Sequence, residues 1–225
     1  VTGVSQTFGL IFGASAIVIS GNFIAPNLKM DGYFLPGVIA GIAGFIGLTA
    51  FYTGLATGRM GVVSPISSLS VLIPLLYALI QGERPSLTQT VGITIAIAGA
   101  FMASGPEMRN GLPIKPLVYA VIAALGFGTA LTFIAIGSET DSLHTMTAMR
   151  CASVFVCILI ALRLRTLGGF SKAQIPLLIF IGVADFLANF ILGIATTKGL
   201  VSIAMVFGSL FRSEEHTSEL QSPMF

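Results

Sequence analysis

Between Thr2 and Thr196 the sequence is a succession of apolar runs, each close to the ~20 residues an α-helix needs to cross a bilayer. In order, the spacing predicts spans at Thr2–Ile24, Pro36–Ala56, Gly61–Gln81, Ser86–Ala103, Ile114–Ile136, Leu143–Leu164 and Ile175–Thr196, with an eighth opening near Leu200 and cut at Phe211. Pro26-Asn27, Gly82-Glu83-Arg84-Pro85, Gly105-Pro106-Glu107 and Gly168-Gly169 separate the runs with turn-forming residues. In lipid every backbone polar group must be satisfied within the segment, which selects helices for runs of this length. The predicted fold is an all-α polytopic membrane protein with seven full transmembrane helices and part of an eighth. Only 9% of residues are charged, against about 25% in soluble domains. No loop is long enough for a soluble domain, and the net charge of +2 is scattered over loops, so nothing suggests a nucleic-acid partner.

The polar residues that remain inside these runs are the candidates for function. The third run holds Ser64, Ser67, Ser68 and Ser70 with Pro65 and Pro74. Backbone freed by an intramembrane proline must be satisfied by protein or water, so this segment should face a neighbour or a cavity. At 100° per residue Ser64, Ser67 and Ser68 share a face, and small-residue helix packing explains that face equally well. Two charges, Arg150 and Asp185, sit inside predicted spans, where a charge is costly and usually pairs or lines a wet path. Asp185 lies about 15 Å along its helix and Arg150 about 21 Å from the same surface, within reach of each other across consecutive antiparallel helices. Asn189 follows Asp185 by one turn on the same face. Together Asp185, Asn189 and Arg150 form either a substrate or proton site or a structural ion pair fixing helix register. Gln6, Asn22 and Tyr52 are further intramembrane polar candidates. Gly37, Gly41, Gly44 and Gly47 read as a packing stripe, and Cys151 and Cys157, six residues apart on different faces, as neither disulfide nor metal pair.

The words around the third run carry a resemblance. Ala56 to Gly61, then Val62-Val-Ser-Pro-Ile-Ser-Ser-Leu69, an apolar run, Gly82-Glu83-Arg84 and the glycine-containing stretch Gly92 to Gly99 resemble, in order and spacing, the EamA-type family of drug/metabolite transporters. The resemblance spans about residues 1–211. It implies ten helices as two inverted five-helix repeats, in line with a weak internal match of Gly54–Arg59 to Gly193–Lys198 at an offset of 139. On that register residues 1–104 are a first repeat lacking its first helix, and residues 105–211 a second repeat truncated in its fourth. The implied function is secondary transport, by alternating access, of a small metabolite or drug-like compound across a bacterial inner membrane. Its cavity would be lined by Ser64, Ser67 and Ser68, with Asp185 and Asn189 opposite and Arg150 as counter-charge. Asp185 would also be the residue to couple transport to protons.

Other classes find little support. Outside residues 212–225, which hold His216, His144 is the one histidine, and no G-x-S-x-G, Walker loop or cysteine pair for zinc occurs, so no enzyme, cofactor or metal is expected; the alternative is a non-transporting membrane protein whose Arg150–Asp185 pair only holds helices. Residues 212–225 turn abruptly polar, and Arg212 to Ser222 reads as a translated sequencing adapter. Removing it takes eleven basic residues to ten and nine acidic ones to six. As a fragment, the 225-residue chain is not expected to transport by itself. For orientation, Lys29, Arg84 and Lys198 fall on one side against Arg59, Arg109, Lys115, Arg163, Arg165 and Lys172 on the other. The positive-inside rule puts the second set in the cytoplasm; the family register puts it outside.

Overall fold

The apolar runs form helices throughout a computed structural model that describes residues 2–57, 60–103, 114–165 and 174–207. The helices are α1 (Thr2–Ser20), α2 (Phe34–Thr57), α3 (Met60–Ser68), α4 (Leu72–Ile80), α5 (Leu87–Ala103), α6 (Ile114–Ser138), α7 (Ser142–Leu164) and α8 (Ile175–Lys198), and α9 begins at residue 201. Among the described residues, six spans are long and apolar enough to cross a membrane: Gly3–Ser20, Phe34–Ala56, Val63–Ile80, Ile114–Ser138, Ser142–Arg163 and Ile175–Lys198. The run predicted at Ser86–Ala103 yields the 17-residue α5, which reaches about 26 Å, a little short of a ~30 Å hydrocarbon core. The Gly58-Arg59 turn, Arg109, Lys172, the loop glycines at 105, 168 and 169, and everything from Ser209 through the polar tail lie outside the described residues.

Two elements differ from the pattern reading. The first predicted span ends early, at Ser20, because Gly21 takes a left-handed φ of 65° and turns the chain out of the helix. The third is not one continuous helix. Residues Leu69–Val71 tighten into a 3-10 turn between α3 and α4, with the Leu72 amide bonding the Leu69 carbonyl. Pro74 has no N–H to give the Ser70 carbonyl four residues back, and that carbonyl lies instead against Gly128 of α6, where a Cβ would come within 2.6 Å of it.

The chain divides into two units, one of residues up to Ile42 with Phe133–Thr197, the other of Ala43–Thr132 with residues from Lys198. In the first, α1 packs along α7. Gly37 and Gly41 bring α2 onto α7, where added Cβ atoms would meet Ala148 and Ala152, and the Ser153 hydroxyl donates to the Gly41 carbonyl at 3.2 Å. Gly9 and Gly182 bring α1 and α8 close enough that a Cβ on either would strike a backbone carbonyl of the other. The start of α7 is tied to the 21–33 segment. Asp141 caps α7 through the His144 amide at 2.8 Å and accepts from His144 Nδ1 at 2.7 Å, while Nε2 accepts the Ile24 amide at 3.3 Å. Because an amide can only donate, the imidazole is the neutral Nδ1–H tautomer. The Tyr33 hydroxyl donates to the Ile24 carbonyl at 2.8 Å, and burial, helped by the Asp141 carboxylate, raises its pKa above the ordinary value of 10.0.

The second unit is built on Ala50, Phe51, Val63, Ala120, Ala123 and Phe127. Gly47 of α2 meets Gly126 and Phe127 of α6. Thus the glycine stripe seats α2 along its length, within one unit at Gly37 and Gly41 and within the other at Gly44 and Gly47. The Glu83 carboxylate, after α4, accepts from the Val201 amide (2.6 Å), the Ser202 amide (3.2 Å) and the Ser202 hydroxyl (2.7 Å), capping α9 from outside its own chain segment.

Candidate functional site

Arg150 lies at mid-helix in α7, and its side chain is 3% exposed. A guanidinium cannot shed its proton in a protein, so at that depth its charge must be met by partners. Two helices supply them. Gln6 Oε1 of α1 accepts from Nη1, and Asp185 Oδ2 of α8 lies 2.9 Å from Nη2. Gly9 lies beside the guanidinium, where a built Cβ would be in ordinary contact with Nε at 3.6 Å. Asn189, one turn after Asp185, donates from Nδ2 to Asp185 Oδ1 at 3.0 Å and to the Asp185 carbonyl at 2.8 Å. The carboxylate is therefore held from both sides, by an amide on one oxygen and a cation on the other. Phe186, fully buried, stacks edge-on against Phe12 at 5.5 Å and parallel to Phe190 at 6.4 Å beneath this cluster.

Two features distinguish the arrangement from a sealed ion pair. Asp185 keeps 45% of its side-chain exposure although it sits mid-span. Arg150 Nε and Nη2 are buried without a hydrogen bond, since Nη2 is near Asp185 but off the hydrogen-bonding direction. A buried donor without an acceptor costs about 1–3 kcal/mol, more when charged. The cluster thus has acceptor capacity open at the carboxylate and donor capacity open at the guanidinium.

The other sequence-predicted residues behave differently. In α3 the Ser67 hydroxyl donates to the Val63 carbonyl and the Ser68 hydroxyl to the Pro65 carbonyl, each at 2.7 Å, and Ser64 is half-buried. Both hydroxyls are thus bonded back to their own helix, an arrangement that tends to bend it. Asn22 lies beyond the end of α1 and of the Gly3–Ser20 span, which the pattern had extended to Ile24, and is exposed. Tyr52 is on α2 with 56% exposure. Gln6, marked only as an intramembrane polar candidate, turns out to be a direct partner of Arg150. Sequence reasoning missed Gly9 and Gly182, whose signal was their mid-span position on helices that also carry the polar cluster.

Residues 1–105 match the EamA-like transporter family. That stretch of the chain belongs to the EamA-like transporters. No curated protein and no solved structure matches the chain. The EamA-like match takes in Gln6, Tyr52 and the serine helix, while Arg150, Asp185 and Asn189 lie past it. The apolar helices, with the EamA-like segment among them, make this a multi-pass integral membrane protein.

Proposed function

We propose that the protein is a secondary transporter, an exporter of small polar or amphipathic metabolites or drug-like compounds in a bacterial inner membrane, working by alternating access. The observation that carries this reading is the half-open Asp185 carboxylate beside a buried, incompletely bonded Arg150 at mid-span, where transporters place their sites. Asp185, Asn189, Arg150 and Gln6 are the proposed substrate contacts of the first unit, with Asp185 the residue to carry a coupled proton. Ser64, Ser67 and Ser68 are proposed contacts on their own unit. A structural reading is favoured by one fact, that Gln6, Arg150 and Asp185 join three helices.

Flux of candidate compounds in vesicles carrying the protein separates the two. Transport predicts that Asp185→Asn and the double variant Asp185→Asn/Arg150→Gln both lose flux at least tenfold while the double variant stays folded. Wild-type flux in a folded double variant would leave only the structural role.

A further inference from the structure

A cavity of about 750 Å³ lies in the second unit along α4 and α5, clear of the Arg150 cluster. Its walls are Leu69, Leu75, Leu79, Ile93 and Ile97, with Arg84 at one end. The two hydroxyls that line it are already spent, Thr90 on the Ser86 carbonyl (3.0 Å) and Thr94 on the Thr90 carbonyl (2.9 Å). Small-molecule sites combine apolar walls with several convergent polar groups; this one offers a single cation at its mouth.

The cation is placed and uncompensated. Arg84 follows the end of the Val63–Ile80 span, at the level of the membrane interface. Its Nη1 donates to the Leu79 and Glu83 carbonyls at 3.4 and 3.2 Å, fixing the guanidinium at the end of α4. The neighbouring Glu83 carboxylate is engaged by the Val201 and Ser202 amides, and among the described residues no carboxylate lies within ion-pair distance of Arg84. The apolar wall has a matching length. From Leu69 to Leu79 the rise is about 15 Å, half of a ~30 Å hydrocarbon core and so the depth of one leaflet.

We infer that this groove is a binding site for one anionic phospholipid, with an acyl chain along Leu69, Leu75, Leu79, Ile93 and Ile97 and the headgroup phosphate on Arg84. An acyl chain gains by leaving water, but nothing by leaving other lipid tails. Selectivity over bulk lipid therefore rests on the Arg84 contact, and shape on the walls.

Native mass spectrometry of the purified 225-residue chain, released from nanodiscs of dioleoyl phosphatidylglycerol or dioleoyl phosphatidylcholine, tests this. One retained phosphatidylglycerol per chain is expected, held more tightly than phosphatidylcholine. Arg84→Gln should weaken retention of phosphatidylglycerol about fivefold and leave phosphatidylcholine unchanged. Ile93→Trp, or the exposed Thr94→Phe if the first fails to fold, should block the groove to both lipids with the helical dichroism intact. Equal retention of the two lipids, an Arg84→Gln variant like wild type, or a folded groove variant that still holds lipid would overturn the assignment. So would displacement of the lipid by millimolar inorganic phosphate, which would show an anion site with no acyl component.

Discussion

Arg150 is the residue on which the first unit's chemistry turns. The cost of its buried charge is offset by Gln6 and Asp185 rather than avoided. Its pairing with Asp185 was legible in the sequence, because helix rise alone puts the two at similar depth. The role of Gln6 was not, because a contact between α1 and α7 across 144 positions leaves no trace in local periodicity. The same holds for the glycines that let α1 and α8 approach each other. Gly182 faces the Ser5 carbonyl with no space for a side chain, whereas Gly92 of α5 has nothing within 4 Å of a built Cβ. Gly182→Ala should therefore cost about 1–3 kcal/mol through forced separation of α1 and α8. Gly92→Ala should be neutral or stabilising by up to about 1 kcal/mol through helix propensity. Thermal melting of the two variants in detergent checks the contrast, and equal effects would remove the close-approach explanation.

At the scale of elements, the apolar runs coincide with the described helices between Thr2 and Lys198, six of them spans long enough to cross a membrane, because length and apolarity are what a bilayer selects. Hydropathy did not locate the break at Leu69–Val71. Pro74 announced a missing N–H, but where the ladder would give way depends on a neighbour that accepts the freed Ser70 carbonyl, and Gly128 of α6 is that neighbour. The early end of α1 was likewise hidden, since Phe23 and Ile24 carry the apolar run on past Gly21. Glu83, read as part of the Gly82–Pro85 turn, is more than a turn residue. By accepting two amides and a hydroxyl at the start of α9, it does for that helix what a side-chain N-cap does. Glu83→Gln should cost about 1–2 kcal/mol and speed hydrogen exchange at the Val201 and Ser202 amides. Unchanged protection there would mean that α9 holds its own N-terminus.

At the scale of the molecule, the sequence divides one way and the packing another. The repeat reading separates residues 1–104 from 105–211, yet each packed unit draws on both stretches, and α2 and α6 contribute to both units. No linear pattern encodes that, since it arises from which glycine faces meet which helices. The central functional claim is that water reaches Asp185, and its most direct test is thiol labelling. In a Cys151→Ser/Cys157→Ser background, Asp185→Cys is compared with Ile191→Cys on the same helix, using a charged, membrane-impermeant methanethiosulfonate. The side chains are 45% and 62% exposed respectively, so protein burial alone would make the second the more reactive. A wet path predicts that position 185 labels, as a thiolate in water does, and that position 191, against lipid, does not. Labelling at 191 with none at 185 would contradict it and leave Arg150 and Asp185 as a pair that only holds helices together.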